Sequence, residues 1–134
     1  MPKPLLFSNA RIITPTITYE RGWLLTRDGK ITAFAPYNAP NFDDVEIVNA
    51  EGLTLIPGFI DIHAHGGNGF DVMDGSVKSL EGMAQYYAVS GVTSFLATTW
   101  TDTNENIFNA LSAIHEAQGA QAYGATLIGA HLEG

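Results

Sequence analysis

The feature that most constrains the fold is an alternation of strand-like and helix-like segments that begins near residue 55. Apolar segments of strand character lie at residues 55–65, 92–100 and 125–133. Between the first two, residues 79–90 place apolar side chains at positions i, i+3, i+4 and i+7, which predicts an amphipathic helix. A strand–helix–strand–helix–strand order predicts a parallel sheet with right-handed crossover connections.

Both predicted helices have recognisable ends. The first is expected to stop at Gly91. The second is expected to begin at a capping pair, Asp102 and Glu105, and to end at Gly119. The predicted apolar stripe of the second helix consists of Ile107, Leu111, Ile114 and Gln118, with support from Phe108 and Ala110.

The chain before residue 55 consists of short strand-like segments and turns. Residues 22–27 and 30–35 flank Asp28-Gly29, a pair that favours a tight hairpin turn. Further strands are expected at residues 5–7, 10–14, 45–49 and 53–56, with a loop over residues 38–44. We therefore predict two segments, a β-rich small domain over residues 1–54 and an α/β part over residues 55–134.

Two histidines end the first strand of the alternating part. Because side chains alternate along a strand, Asp61, His63 and His65 are expected on one face. The residues expected on the other face, against packed apolar layers, are Ile60, Ile62 and Ala64. A His-x-His pair of this kind can hold one divalent cation, although histidines with ordinary hydrogen bonds are a competing interpretation.

The third predicted strand supplies a carboxylate at the same edge of the sheet. By parity, Leu127, Gly129, His131 and Glu133 are expected to share one face. Active sites of α/β proteins lie at the C-terminal ends of parallel strands, which favours a joint role for these side chains and the two histidines. The chain has no cysteine, so any metal must be held by nitrogen and oxygen ligands.

The charge and hydropathy of the chain exclude several classes of protein. It carries 14 acidic against 6 basic residues, a net charge of −8, which argues against binding to nucleic acid or to anionic membranes. The N-terminus lacks the apolar core of a signal peptide, and no run of about 18 apolar residues predicts a membrane span. The cytoplasm is therefore the simplest expected location.

Residues 57–65 resemble the first barrel strand of the amidohydrolase superfamily, in which a metal-dependent (β/α)8 barrel follows a small β-domain. The longer pattern at residues 63–71, 91–98 and 129–134 is similar to the N-acetylglucosamine-6-phosphate deacetylase family. The resemblance covers nearly the whole chain but only the N-terminal part of that family's length. It implies an α/β fold: a sandwich-type β-rich segment, then the first three strands and two helices of an incomplete barrel.

The resemblance also implies roles for individual residues. His63 and His65 match the histidine pair that binds one ion of a two-metal site, and Glu133 matches a glutamate that can bridge both ions. The metal is expected to be zinc or iron. The family's general acid–base aspartate lies beyond residue 134, so the chain alone is expected to be inactive. The expected reaction removes acetate from N-acetyl-D-glucosamine 6-phosphate, in an enzyme that forms a homodimer.

Several other residues have two interpretations each. Asp61 could orient the metal site or form a structural hydrogen bond, and His131 could line the site. Gly66 and Gly67 could line the substrate pocket or serve only as turn residues. The residues expected to play no direct role are His115 on the surface, Asp71 and Asp74 in solvent, and the aromatic side chains Tyr86, Tyr87 and Trp100.

Two other functions are compatible with these residues. Dihydroorotases, hydantoinases and deaminases share the His-x-His strand, but several of them use a carboxylated lysine as bridging ligand. Glu133 at the end of the third strand favours the deacetylase instead. The remaining alternative is a non-catalytic fragment that is inert or acts as an interaction module, which weak metal binding would indicate.

Overall fold

The computed structural model describes residues 3–119 and 124–133. The chain divides into two compact units, Met1–Pro57 and Gly58–Gly134. None of the helices found in these described residues combines the length and the apolar character needed to cross a bilayer.

The first unit is a single mixed sheet. Its strands are β1 (Leu5–Ile13), β2 (Thr18–Arg27), β3 (Lys30–Pro36), β4 (Glu46–Asn49) and β5 (Thr54–Leu55). The order is β3-β2-β1-β4, with β5 also paired to β1. Strands β1 to β3 are antiparallel neighbours, whereas β4 and β5 run parallel to β1. The two strands predicted at residues 5–7 and 10–14 are one irregular strand.

The predicted hairpin is confirmed. Asp28 and Gly29 both adopt positive φ, 51° and 71°, and join β2 directly to β3. Both central residues of a type I′ turn need positive φ, which asparagine, aspartate and glycine tolerate best. Alternation along β2 places Leu24 in one apolar cluster and its neighbours Trp23 and Leu25 in another.

The second unit confirms the predicted α/β alternation. Its main elements are β6 (Phe59–Ala64), α1 (Val77–Val89), β9 (Val92–Thr98), α2 (Asn104–Ala117) and β10 (Thr126–His131). Between β6 and α1 lie the short strands β7 (Gly66–Gly67) and β8 (Phe70–Asp71) and a 3₁₀ turn, Val72–Asp74. The order is β10-β9-β6, and both pairings are parallel. The C-terminal ends of all three strands therefore meet at one edge.

The first strand of this sheet is shorter than predicted. Residues 54 and 55 form β5, which belongs to the first unit and pairs with β1 there. Strand β6 of the second unit begins only at Phe59. Pro57 lies between them and has no N–H for a sheet ladder. The single strand predicted over residues 55–65 is therefore two strands in two different sheets.

The core of the second unit lies between the sheet and the two helices. The predicted stripe of α1 is confirmed, since Leu80, Met83, Ala84 and Tyr87 are all buried there. The predicted stripe of α2 is only partly right, because Phe108 is 67% exposed. The residues of α2 that are buried are Ala110, Ala113, Ile114 and Ala117. Ala110 and Ile114 were part of the predicted stripe, whereas Ala113 and Ala117 were not; small side chains at these positions allow α2 to lie close to α1 and β10.

The helix ends match the sequence analysis in one case and correct it in the other. Gly91, with φ of 82°, follows the C-cap of α1 as predicted, and its N–H donates to Ala88. The N-cap of α2 is Thr103, whose side chain accepts from the Asn106 N–H, so the predicted capping pair of Asp102 and Glu105 is wrong. Asp102 instead accepts from the Thr103 N–H. Helix α2 ends at Ala117, with Gln118 rather than Gly119 as its C-cap.

Register shifts overturn two predictions that relied on strict alternation. In β10 a shift between Leu127 and Gly129 interrupts the pleat. Leu127 is 1% exposed and packs with the helices, so it does not share a face with His131 and Glu133.

A second shift lies in β6 between Asp61 and Ala64. Ala64 is buried as expected, but Ile60 and Ile62 are 62% and 64% exposed rather than packed against apolar layers. Within the described chain, the sheet carries its helices on the side of Ala64 and Phe95, where the apolar cluster forms.

Candidate metal centre

Three side chains converge at the C-terminal edge of the parallel sheet. His63 is the penultimate residue of β6, His65 directly follows that strand, and Glu133 lies two residues beyond the end of β10. The His63 Nε2 lies 2.8 Å from the Glu133 Oε2 and 3.1 Å from the His65 Nε2. The His65 Nε2 is 3.1 Å from the same carboxylate oxygen. The parallel order brings residues from both ends of the unit to one point.

The ring of His65 is held at two places. Its Nδ1 lies 3.2 Å from the backbone carbonyl oxygen of Thr98, which can only accept a hydrogen bond. The tautomer with its proton on Nδ1 satisfies this carbonyl oxygen and leaves the lone pair of Nε2, which faces His63 and Glu133, available to a cation. The indole of Trp100 stacks on the ring at a centroid distance of 3.7 Å and an angle of 16°.

The end of the central strand β9 also supports both outer strands. The buried hydroxyl of Thr98 accepts a hydrogen bond from the Ala64 N–H at 2.9 Å. The hydroxyl of Thr99, also buried, accepts from the Glu133 N–H at 3.3 Å. Thr98 and Thr99 thereby fix the backbone beside the histidine pair and beside the glutamate.

Thr98 and Thr99 were not predicted to belong to the site, and Trp100 was expected to have no direct role in it. A signal was present, because these residues end the middle strand of a predicted parallel sheet, at the edge where the histidines and the glutamate were expected. Two threonines and a tryptophan are common at the end of a strand, so these residues indicate a site only when the neighbouring strands are taken into account.

His131 lies against the site without joining the three converging atoms. Its ring centroid is 4.5 Å from that of His63, and its Nδ1 lies 2.9 Å from the Ile62 carbonyl oxygen. Asp61 contacts the backbone rather than the rings, since its Oδ1 accepts from the His63 N–H at 3.0 Å. Asp61 thus fixes the backbone of His63, and His131 packs beside its ring.

The glycines after His65 pack against two tyrosines of α1. The hydroxyl of Tyr87 donates to the Gly66 carbonyl oxygen at 2.7 Å. A Cβ atom on Gly67 would lie 2.8 Å from a ring carbon of Tyr86, which is closer than real Cβ contacts. Burial, and after it the charge of Asp61, raises the pKa of Tyr87 to about 12, so its hydroxyl stays protonated.

The remaining residues discussed from the sequence lie away from the converging atoms. His115 is exposed on α2, as expected. Asp71 and Asp74 form a reciprocal cap of the 3₁₀ turn, a structural role that the sequence analysis did not assign. A hydrogen bond from Ser79, reinforced by the Asp71 N–H, lowers the pKa of Asp74.

The geometry of the three converging residues suits a divalent cation. A tetrahedral ion with bonds of about 2.0–2.2 Å sets its ligand atoms roughly 3.3–3.6 Å apart. The three atoms of His63, His65 and Glu133 lie slightly closer than this, and they form the only such group among the described residues. Two imidazole nitrogens and one carboxylate oxygen are a donor set that zinc and iron accept.

Comparisons with known proteins agree with one another. No protein-family model matches the chain. The N-acetylglucosamine-6-phosphate deacetylase of Bacillus subtilis is 38% identical over 100% of the chain and 35% of its own length. The N-acetylgalactosamine-6-phosphate deacetylase of Escherichia coli O157:H7 is 36% identical, over 86% of the chain and 30% of its own length. The chain thus spans about a third of these curated relatives.

Solved structures give the same result. The crystal structure of N-acetylglucosamine-6-phosphate deacetylase from Pasteurella multocida superimposes with a TM-score of 0.85 and 31% identity. The match covers 98% of the chain and 34% of that structure.

A dihydroorotase of Anaplasma phagocytophilum is 42% identical but matches only 44% of the chain, so the cyclic-amide alternative has narrower support.

Proposed function

Because the chain belongs to the N-acetylglucosamine-6-phosphate deacetylase family of the amidohydrolase superfamily, we propose that it supplies metal ligands to a deacetylase. The proposed reaction removes acetate from N-acetyl-D-glucosamine 6-phosphate and leaves glucosamine 6-phosphate. The observation that carries the proposal is the convergence of His63, His65 and Glu133 at one edge of the parallel sheet.

We assign the ligand roles to these three residues. His65 offers Nε2 because the Thr98 carbonyl oxygen holds its Nδ1 proton. His63 offers Nε2 at the point where His65 and Glu133 meet, and Glu133 adds the negative charge that balances a cation. The proposal includes zinc or iron as the metal, with two ions in the complete site.

The chemistry of an amide hydrolysis fits this donor set. A bound divalent ion polarises a carbonyl and lowers the pKa of water, which makes water a nucleophile near neutral pH. Water adds to the acetamide carbon, the carbon–nitrogen bond breaks, and the nitrogen leaves as an amine after it takes up a proton. The carboxylate of Glu133 and the two imidazoles hold their positions through this change because β6 and β10 are each bonded to β9.

The two segments of the chain have separate parts in the proposal. Residues 1–54 form a β-rich small domain, and residues 55–134 form the beginning of a (β/α)8 barrel. A mixed sheet in the unit Met1–Pro57, and three parallel strands with two crossover helices in the unit Gly58–Gly134, support this arrangement to within three residues of the proposed boundary. A homodimer and a cytoplasmic location complete the proposal.

One relative favours a second candidate substrate. The Escherichia coli O157:H7 protein is named for N-acetylgalactosamine 6-phosphate, which differs from the glucosamine sugar only in the configuration of one hydroxyl group. The bond that the proposed reaction breaks belongs to the acetamide group, which both sugars carry. A comparison of the two sugar phosphates therefore belongs in the test.

The decisive experiment measures acetate release by the gene product that carries these residues. The protein is loaded with zinc or iron and offered both amino-sugar phosphates and, as the competing substrate class, dihydroorotate. We expect acetate release that His63→Ala abolishes and that His115→Ala, on the exposed surface of α2, leaves unchanged. Equal activity in His63→Ala and the parent protein would contradict the ligand assignment, and turnover of dihydroorotate alone would contradict the substrate class.

A further inference from the structure

The indole of Trp100 makes the only stacked contact with a converging histidine among the described ring pairs. Its ring lies 3.7 Å from that of His65 at an angle of 16°, whereas the other ring contacts of the two histidines are tilted or edge-on. Trp100 itself is 49% exposed and lies two residues beyond the end of β9. The stack therefore covers one face of the imidazole from a position at the rim of the site.

A single hydrogen bond does not orient an imidazole ring completely. The bond from Nδ1 to the Thr98 carbonyl oxygen selects the tautomer, but rotation about the Cβ–Cγ bond is soft and can swing Nε2 away. A flat ring stacked in parallel resists that rotation, because a tilted imidazole would lose contact with the indole at one edge and clash with it at the other. His65 has both restraints, and its side chain is 20% exposed against 48% for His63.

The stack also has an electronic consequence. An imidazole that donates electrons to a cation gains partial positive charge. The face of an indole is electron-rich and attracts positive charge, tryptophan more strongly than the other aromatic residues. The contact should therefore become more favourable when the neighbouring Nε2 coordinates an ion.

We propose that Trp100 is a positioning residue of the metal centre, which holds the ring plane of His65 so that Nε2 points at His63 and Glu133. The inference rests on the proposed metal site and adds to it a residue that touches a ligand rather than the ion. It requires a flat aromatic ring at position 100, not merely an apolar side chain.

The first test compares Trp100→Phe with Trp100→Leu in the full chain, using zinc alone as the probe. Loss of a group that orients a ligand typically weakens metal affinity by about 10- to 100-fold. We expect a loss of that size for leucine, which fills space without a ring face, and recovery of most of the affinity for phenylalanine. Thermal unfolding in the presence of a chelator should be the same in both variants, which excludes general loss of packing.

The second test uses the tryptophans as reporters. The chain has two, Trp23 and Trp100. Cobalt(II), which has an open d shell, quenches a nearby indole. In Trp23→Phe, where only Trp100 remains, we expect saturable quenching that excess zinc reverses.

The outcomes separate this inference from the proposed function. Equal zinc affinity in Trp100→Leu and the parent protein, together with its loss in His63→Ala, would overturn the role of Trp100 and keep the metal site. Zinc affinity that is reduced equally in Trp100→Leu and Trp100→Phe would also overturn this role, because the ring face would then be irrelevant. Zinc binding that His63→Ala does not change would instead overturn the metal site itself.

Discussion

The Nε2 of His63 lies 2.8 Å from the Oε2 of Glu133, although 70 residues of sequence separate the two side chains. They meet because β6 and β10 flank β9 in parallel and therefore end at the same edge. Both side chains are nearly half exposed, at 48% and 45%. A pair so accessible to water contributes about 0–1 kcal/mol to folding, so its placement is better explained by function than by stability.

Glu133→Gln should separate the contribution of this carboxylate to metal binding from its contribution to folding. Glutamine keeps the size of the side chain but replaces the carboxylate with a neutral amide, so we expect zinc affinity to fall at least about 10-fold, or 1.4 kcal/mol. Unfolding in a chelator should change little, because a contact between two side chains that are nearly half exposed adds little to the stability of the fold. Titration with zinc measures the first effect and thermal unfolding the second. The matched control is Glu116→Gln on the exposed surface of α2, and equal zinc affinity in both variants would count against the site.

Thr98→Val should destabilise the protein even without metal. Valine has the shape of threonine but no hydroxyl, so the Ala64 N–H would lose its acceptor inside the core. An unsatisfied buried donor costs about 1–3 kcal/mol. The free energy of unfolding, measured by urea denaturation, should fall by this amount in Thr98→Val and by less in Thr98→Ser, which keeps the hydroxyl. A valine variant more stable than the serine variant would show that the hydrogen bond is unimportant.

Tyr87→Phe should alter stability and its dependence on alkaline pH. Loss of the hydrogen bond to the Gly66 carbonyl oxygen is expected to cost about 0.5–1.5 kcal/mol at neutral pH. Burial, then Asp61, raises the pKa of this phenol from 10.0 to about 12. A raised pKa contributes stability that is complete below pH 10 and is lost as the pH rises through 12.

The measurement for Tyr87 is the free energy of unfolding as a function of alkaline pH. The parent protein should lose stability more steeply than Tyr87→Phe above pH 10. Tyr37→Phe is a suitable control, because that side chain is 77% exposed in the other unit. Parallel curves for the parent protein and Tyr87→Phe would show that the phenol is not shifted.

Asp74→Asn should reduce the sensitivity of the fold to acid. Hydrogen bonds from the Ser79 hydroxyl and the Asp71 N–H lower the pKa of Asp74 below its ordinary value of 3.8. A lowered pKa contributes stability that is present above 3.8 and is lost as the pH falls through the value in the folded state. The parent protein should therefore lose stability in acid more steeply than the asparagine variant.

Denaturation at a series of acidic pH values tests the role of Asp74. Glu81→Gln, an exposed position on α1, serves as the control for a general change in charge. An acid response of Asp74→Asn as steep as that of the parent protein would contradict the assigned hydrogen bonds.

The predictions that succeeded used information from neighbouring residues. The hairpin at Asp28-Gly29 follows from which residues tolerate positive φ, and the stripe of α1 follows from helical periodicity. The α/β alternation followed from the same patterns, and family resemblance added the identity of the candidate ligands. The metal-ligand role itself stays a prediction that the zinc titrations above address.

The predictions that failed assumed ideal geometry. Strict alternation along β10 placed Leu127 beside His131, but a register shift moved Leu127 to the helix side. The stripe predicted for α2 included Phe108, which is exposed, and left out Ala113 and Ala117, which are buried. Neither a bulge nor the distance between two packed elements is encoded by the local period of one segment.

The sequence by itself determined the class of the fold, the order of its elements and the residue types available at the sheet edge, because each depends on neighbours along the chain. Only the tertiary structure decided which partners those residues meet. Strand register and the bends after each strand produce three such contacts. They are the hydrogen bond between His65 and the Thr98 carbonyl oxygen, the stack of Trp100 on His65, and the hydrogen bond from the Glu133 N–H to the Thr99 hydroxyl. Contacts between distant segments depend on how the whole core packs, and no local pattern specifies that.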